Sequence, residues 1–249
     1  MAPTAFPFVC FVYFVVIPSV ASPLIIAHRG ASAEKPENTL AAFRRALVLR
    51  VDGIELDVHV TRDGVPVVFH DEKLKRLTGV RGLLTASTWP ELAKLRVKGT
   101  EPIPRLAEVL RLTRLRAVVQ IELKAGVAVA PVVQAVEAAR ALNWVIFASF
   151  DADLVREAGR LAPKVPRMLI SESRRSPATI ARQLKDCQAL GLSFNHRRIP
   201  SAAWVQYFQL RGYSVWAWTV NDAVAARRLT SWGVDALLGD DPALMRRTV

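Results

Sequence analysis

Eight short apolar runs, most of them followed by a stretch of helical length, constrain this chain more than any other feature. The runs are Leu24–His28, Gly53–Asp57, Ala117–Leu123, Val145–Phe150, Arg167–Ser171, Leu192–Asn195, Ser214–Thr219 and Asp235–Gly239. Helix-sized stretches stand between them at Asn38–Leu49, Ala130–Leu142, Asp153–Leu161, Pro177–Leu190, Ser201–Arg211 and Asn221–Trp232. In the first of these, Leu40, Phe43 and Leu47 share one face and Arg44 and Arg45 the other, with Asn38 as the expected N-cap. Val/Ile/Leu runs alternating with helices describe a parallel sheet buried on both faces. Pro66–His70 is a further apolar run, but the short Thr61–Val65 segment before it cannot make a parallel crossover. Asp63-Gly64 is a hairpin turn signal, so residues 53–70 are predicted to be the second strand extended into a β-hairpin above the rim. The helix covering that strand is expected within Trp89–Thr113. The prediction is an α/β chain, a (β/α)8 TIM barrel, with its functional site at the C-terminal ends of the strands.

A chain of 249 residues suits one such barrel, and a hydrophobic content of 51 % excludes a disordered or collagen-like polymer. Two cysteines, Cys10 and Cys187, exclude a disulfide scaffold and a Cys-rich zinc site. The net charge of +12 favours anionic partners: phosphorylated small molecules, a phospholipid surface or nucleic acid. No nucleic-acid-binding motif is present and the basic residues are scattered along the sequence, which argues against the last. Residues 1–21 form an apolar leader without Lys, Arg, Asp or Glu. Ser19-Val20-Ala21 resembles a signal-peptidase site before Ser22, although no basic residue follows Met1. An uncleaved anchor is the other reading of a stretch of about 17 apolar residues. Both imply export or membrane attachment; a true start further in would imply a cytoplasmic protein. Residues 22–249 are assigned to the barrel.

Polar residues gather where such a barrel carries its chemistry. The first run ends in His28-Arg29-Gly30, the second carries Glu55 and Asp57 on one face, and the third carries Glu122 and Lys124 on one face. The hairpin returns His70 beside Leu56–Asp57. Three carboxylates in one cavity repel one another unless a cation neutralises them. An all-oxygen set suits a hard divalent ion, Ca²⁺ or Mg²⁺, with Mn²⁺ a further candidate. Arg29 and Lys124 supply donors for a phosphate-like anion, and His28 and His70 titrate near neutrality as an acid/base pair. Metal, cations and two histidines together fit phosphoester cleavage. Other polar residues have bland readings. Glu37 orients Arg29, Asn38 is a cap or a substrate contact, and His59 lies peripherally up the hairpin. His196 stands on the rim, Trp218 at a strand end lines the pocket, and Trp216 fills the barrel.

His28-Arg29-Gly30, Glu37-Asn38-Thr39, Gly53-Ile54-Glu55-Leu56-Asp57-Val58, Thr61-Arg62-Asp63-Gly64 and Val67-Val68-Phe69-His70-Asp71 together resemble the glycerophosphodiester phosphodiesterase family. Ile103-Pro104-Arg105-Leu106, Ile121-Glu122-Leu123-Lys124, Ser149-Phe150-Asp151 and Trp218-Thr219-Val220-Asn221 agree, so the likeness runs from about Ile25 to Pro242. It implies a (β/α)8 barrel that hydrolyses glycerophosphodiesters to an alcohol and sn-glycerol 3-phosphate. By motif position it implies Glu55, Asp57 and Glu122 as metal ligands, His28 and His70 as acid/base pair, and Arg29 and Lys124 as phosphate holders. The partner so implied is a small-molecule phosphodiester; contact with a membrane surface is the separate expectation of the basic charge and the apolar leader. Two departures stand out: Gly239-Asp240-Asp241-Pro242 where the family often has Thr-Asp, and Leu77 at a commonly polar position. The rival readings are a lysophospholipase D-type enzyme on membrane lysophospholipids and a catalytically dead basic barrel used for binding.

Overall fold

The computed structural model describes residues 22–249, and the apolar leader lies outside the described residues. β1 (Leu24–His28), α1 (Leu40–Val48) and β2 (Gly53–Val60) come first, and β3 (Pro66–Val68) turns back antiparallel on β2. An excursion follows with two one-turn helices, α2 (Lys75–Thr78) and α3 (Trp89–Leu92), and a two-residue ladder of β4 (Arg96–Val97) and β5 (Glu101–Pro102). α4 (Leu106–Thr113) then leads to β6 (Val118–Leu123), α5 (Val129–Ala138), β7 (Val145–Ser149) and α6 (Ala152–Leu161). β8 (Arg167–Ser171), α7 (Pro177–Asp186), β9 (Gly191–Asn195), α8 (Ala202–Gln209) and β10 (Ser214–Trp218) continue the alternation. α9 (Ala223–Ser231), β11 (Ala236–Gly239) and α10 (Pro242–Thr248) complete it.

Eight parallel strands close on themselves. β1 pairs with β2, Ala27 opposite Ile54, and with β11, Ala27 opposite Gly239. The eight apolar runs of the sequence are these eight strands, and the (β/α)8 barrel is the fold. Strand alternation separates two cores. Ile26, Ile146, Met168, Ile170, Trp216 and Leu238 fill the lumen, so Trp216 is barrel filling as expected. Ala27, Ile54, Leu56, Val119, Ile121 and Phe147 point outward under the helices. His28, Glu55, Asp57, Glu122 and Lys124 have the lumen-facing parity at the upper strand ends. A third core of Val67, Phe69, Leu74, Leu77, Leu84, Leu92, Val97 and Ile103 lies under the excursion. It explains the unusual Leu77: at 2 % exposure the side chain anchors the excursion, worth roughly 2 kcal/mol of burial.

One local expectation is corrected. Thr39, not Asn38, caps α1, its hydroxyl accepting from Ala42 N at 3.2 Å. Asn38 sits in the left-handed region, φ 57°, a conformation Asn tolerates well. That turn swings its amide away from the helix and toward the second strand. No helix among the described residues is long and apolar enough to cross a membrane.

Candidate active site

Backbone geometry at the end of β1 sets the first part of the site. Gly30, φ 83°, packs so closely on α1 that a Cβ would lie 2.7 Å from the Ala42 Cβ. Arg29, φ 56°, is the strained partner in this turn; a left-handed non-Gly residue costs on the order of 1 kcal/mol. The turn sends Arg29 N to Glu55 Oε2 at 3.0 Å and its guanidinium over Asp57, Nε to Oδ2 3.3 Å. Asn38 Nδ2 donates to the same Asp57 oxygen at 2.7 Å. So Asn38 bonds the Asp57 carboxylate, and Glu37 accepts from Arg29 Nη1 at 2.9 Å.

Glu55, Asp57 and Glu122 each offer an oxygen within 4.8 Å of the others, all three buried. Like charges at that separation repel by about 3 kcal/mol per pair at an effective dielectric near 20. The cost is visible in their protonation. Burial first, and then the Asp57 and Glu122 charges, push Glu55 well above the usual carboxylate range. Burial and Asp57 push Glu122 up to about 7. Asp57 goes the other way: burial opposes it, but Lys124 and Arg29 hold it well below its ordinary value. The Lys124 Nζ lies 2.6 Å from Glu122 Oε1 and 3.2 Å from Asp57 Oδ1. Full ionisation of the three carboxylates is disfavoured here without a further cation; a divalent ion would stabilise all three as carboxylates and bring positive charge to a bound phosphodiester. The oxygen-only donor set therefore fits a hard divalent ion.

Each histidine is oriented by a carboxylate. His28 Nδ1 meets Asp240 Oδ1 at 2.6 Å, leaving its Nε2 4.0 Å from Glu55 Oε2. Asp240 is held in turn by Ser32 Oγ at 3.0 Å and Asn221 Nδ2 at 2.6 Å. Gly239 permits this approach, since a Cβ there would lie 2.2 Å from the Val220 oxygen. His70 Nδ1 meets Asp71 Oδ1 at 2.6 Å. Burial pushes the His70 ring below its ordinary value despite Asp57, which favours the neutral form that can take a proton. His59, up the hairpin, is buried, and its Nε2 lies 3.1 Å from the His70 carbonyl oxygen.

Arg76, Asp71, Asp240 and Asn221 were not anticipated in these roles. The Arg76 guanidinium grips Asp71 through Nη2 (2.8 Å) and Nε, and Glu37 through Nη1 (2.9 Å) and Nη2 (2.8 Å). One side chain thus ties the His70 partner to the Arg29 partner. The sequence signals were Asp71 directly after His70 and the motif positions of Asn221 and Asp240; Arg76 had none. Trp218 packs edge-on to the exposed Phe150 at 5.6 Å between ring centres, forming a lip on the mouth. His196 stands in a 3₁₀ turn after β9, buried beside the Arg197, Asp222 and Arg228 charges. A cavity of about 450 Å³ at the mouth is lined by His28, Arg29, Ser32, Glu37, Asn221 and Asp240.

The model of the glycerophosphoryl diester phosphodiesterase family matches residues 28–244. The chain belongs to that family. It is a phosphoric diester hydrolase by membership. A glycerophosphodiester phosphodiesterase of Caldanaerobacter subterraneus subsp. tengcongensis is 34 % identical over 233 residues, 88 % of this chain and 94 % of the relative. An Oleispira antarctica phosphodiesterase, solved in complex with the product sn-glycerol-3-phosphate, superposes with a TM-score of 0.84. That pair is 28 % identical over 91 % of this chain and 96 % of the other. The Thermotoga maritima glycerophosphodiester phosphodiesterase matches at a TM-score of 0.80, 26 % identical, over 91 % and 98 % of the two chains.

Proposed function

We propose that the protein hydrolyses glycerophosphodiesters to an alcohol and sn-glycerol 3-phosphate, with a divalent ion held by Glu55, Asp57 and Glu122. The supporting observation is the convergence of three buried carboxylates, two cations and two carboxylate-oriented histidines on one barrel mouth. When bound, the ion supplies positive charge to the non-bridging phosphate oxygens. Arg29 and Lys124 grip the same group. The Arg29 Nε faces Asp57 Oδ2 at 3.3 Å without completing a hydrogen bond to it, which holds the guanidinium beside the carboxylate cluster where a phosphate would sit. His28 and His70 carry the protons: one takes the proton of the attacking oxygen as its bond to phosphorus forms. The other gives a proton to the alkoxide as its bond to phosphorus breaks. Trp218 lies against the glycerol or alcohol group. Asp240 and Asp71 fix which ring nitrogen each histidine turns to the substrate.

The test is glycerol 3-phosphate release from glycerophosphocholine, with Ca²⁺, Mg²⁺ or Mn²⁺ and after chelation. Ion-dependent release that collapses in His28→Ala and His70→Ala is the expected result. A double histidine variant that kept most of its turnover would refute the proton-transfer roles. Cleavage of lysophosphatidylcholine in place of glycerophosphocholine would shift the substrate to lysophospholipids.

A further inference from the structure

We infer that the end of the barrel opposite the active site docks onto an anionic phospholipid bilayer. Every strand runs from this end to the mouth, so the helix-to-strand loops collect here. They bring together basic residues that lie far apart in sequence: Arg50, Arg114, Arg116, Arg140 and Arg211, all exposed. None of these pairs with a carboxylate among the described residues, in contrast to Arg29 and Arg76 at the mouth. Of four acidic residues on this face, two are engaged. Asp52 accepts from Ile25 N at 2.8 Å and lies 3.6 Å from Arg246, and Asp235 accepts from Val215 N at 2.6 Å. Glu137 and Asp186, at neighbouring helix ends, are exposed.

The same loops expose large aliphatic side chains. Leu210 is 85 % exposed, Leu115 56 % and Leu190 46 %. Leu115 stands between Arg114 and Arg116, and Leu210 precedes Arg211. Aliphatic groups beside guanidinium groups are what a lipid interface accommodates, the one at the acyl boundary and the other at the phosphates. A nucleic acid backbone would reward the charges but not the leucines. A second, independent observation points the same way. The chain enters the barrel from this face, Leu24 N donating to Asp235 O at 2.9 Å, and the apolar stretch from Ala5 to Ala21 directly precedes that entry in sequence. Docked so, the mouth opens to water, which suits soluble phosphodiesters better than lipids embedded in the same bilayer.

The experiment is sedimentation of the full chain with phosphatidylcholine vesicles, with and without phosphatidylglycerol, at low and high salt. Wild type should bind the phosphatidylglycerol vesicles preferentially, and less in high salt. Arg114→Gln/Arg116→Gln/Arg140→Gln should lose roughly 100-fold in affinity, at about fivefold per basic side chain near an anionic surface. Leu115→Ser/Leu210→Ser should weaken the same binding. The inference is overturned if the triple variant binds these vesicles as tightly as wild type. It is equally overturned if wild type binds pure phosphatidylcholine as well, or binds an oligonucleotide through these arginines and ignores both vesicles. Unchanged melting temperatures establish that the variants fold. Because the readout is binding, it stands apart from the hydrolysis proposed for the mouth.

Discussion

At the mouth of the barrel Asp57 lies 3.2 Å from Lys124 and 3.3 Å from Arg29, and a single guanidinium, Arg76, holds both Glu37 and Asp71. At the other end Arg114, Arg116 and Arg140 reach solvent with no carboxylate partner among the described residues. The difference follows from burial. A charge taken out of water must be paired and hydrogen-bonded, so the mouth's side chains depend on one another. Exposed charges act singly and are screened by salt. Changes at the mouth should therefore be large and non-additive, and changes at the far end small for catalysis and additive for binding.

The comparison can be broken at several levels. Glu55→Ala or Glu122→Ala, or chelation of the ion, should abolish nearly all turnover, on the order of 10³-fold or more, because charge stabilisation at phosphorus is lost. Titrating Ca²⁺, Mg²⁺ and Mn²⁺ back into chelated enzyme measures this. His28→Ala and His70→Ala should each cost on the order of 10²–10⁴ in kcat. Acting as the proposed acid/base pair, they should lose much less in the double variant than the product of the single losses. A fully multiplicative loss would show that the mouth is less coupled than its geometry indicates.

Arg76→Ala should lower kcat about tenfold and leave Arg76→Lys in between, because charged hydrogen bonds to Asp71 and Glu37 are removed without touching substrate. The pH–rate profile would move with it if Asp71 is freed from its present partner. A gentler test concerns Asp240. Burial works against its ionisation, yet His28, Asn221 and Ser32 hold its carboxyl at about 2. A value depressed in the folded state stabilises above the unfolded Asp value near 4, and that contribution fades as pH falls from about 4 toward 2. The melting-temperature advantage of wild type over Asp240→Asn should be full at neutral pH and narrow across that acid window. The smallest effect belongs to the far end: Arg114→Gln/Arg116→Gln/Arg140→Gln should change turnover of soluble substrate less than about twofold.

Much of the fold could be read directly because its determinants are local. Val145–Ser149 and Gly191–Asn195 announce themselves as buried strands by composition alone, and a parallel barrel needs little beyond the order of such runs. The same period-2 logic put Glu55 beside Asp57 and Glu122 beside Lys124. Short elements escaped. The β4–β5 ladder has two residues a side, too few to leave a pattern. Asn38 is the better cap by type, yet Thr39 closes α1 because the Asn38 amide is drawn to Asp57.

The chain's own order of residues determined the strand count, the parity that turns His28, Glu55, Asp57 and Glu122 inward, and the chemistry those groups share. Only the closed tertiary structure decided that Asp240, 212 positions away, orients His28, and that Arg76 joins Glu37 to Asp71 across 39 positions. It also decided that arginines scattered along the sequence share one face, while the carboxylates meet at the other. The reason is geometric: barrel closure sorts loops by strand direction, not by distance along the chain, so two residues far apart become neighbours whenever they occupy the same end.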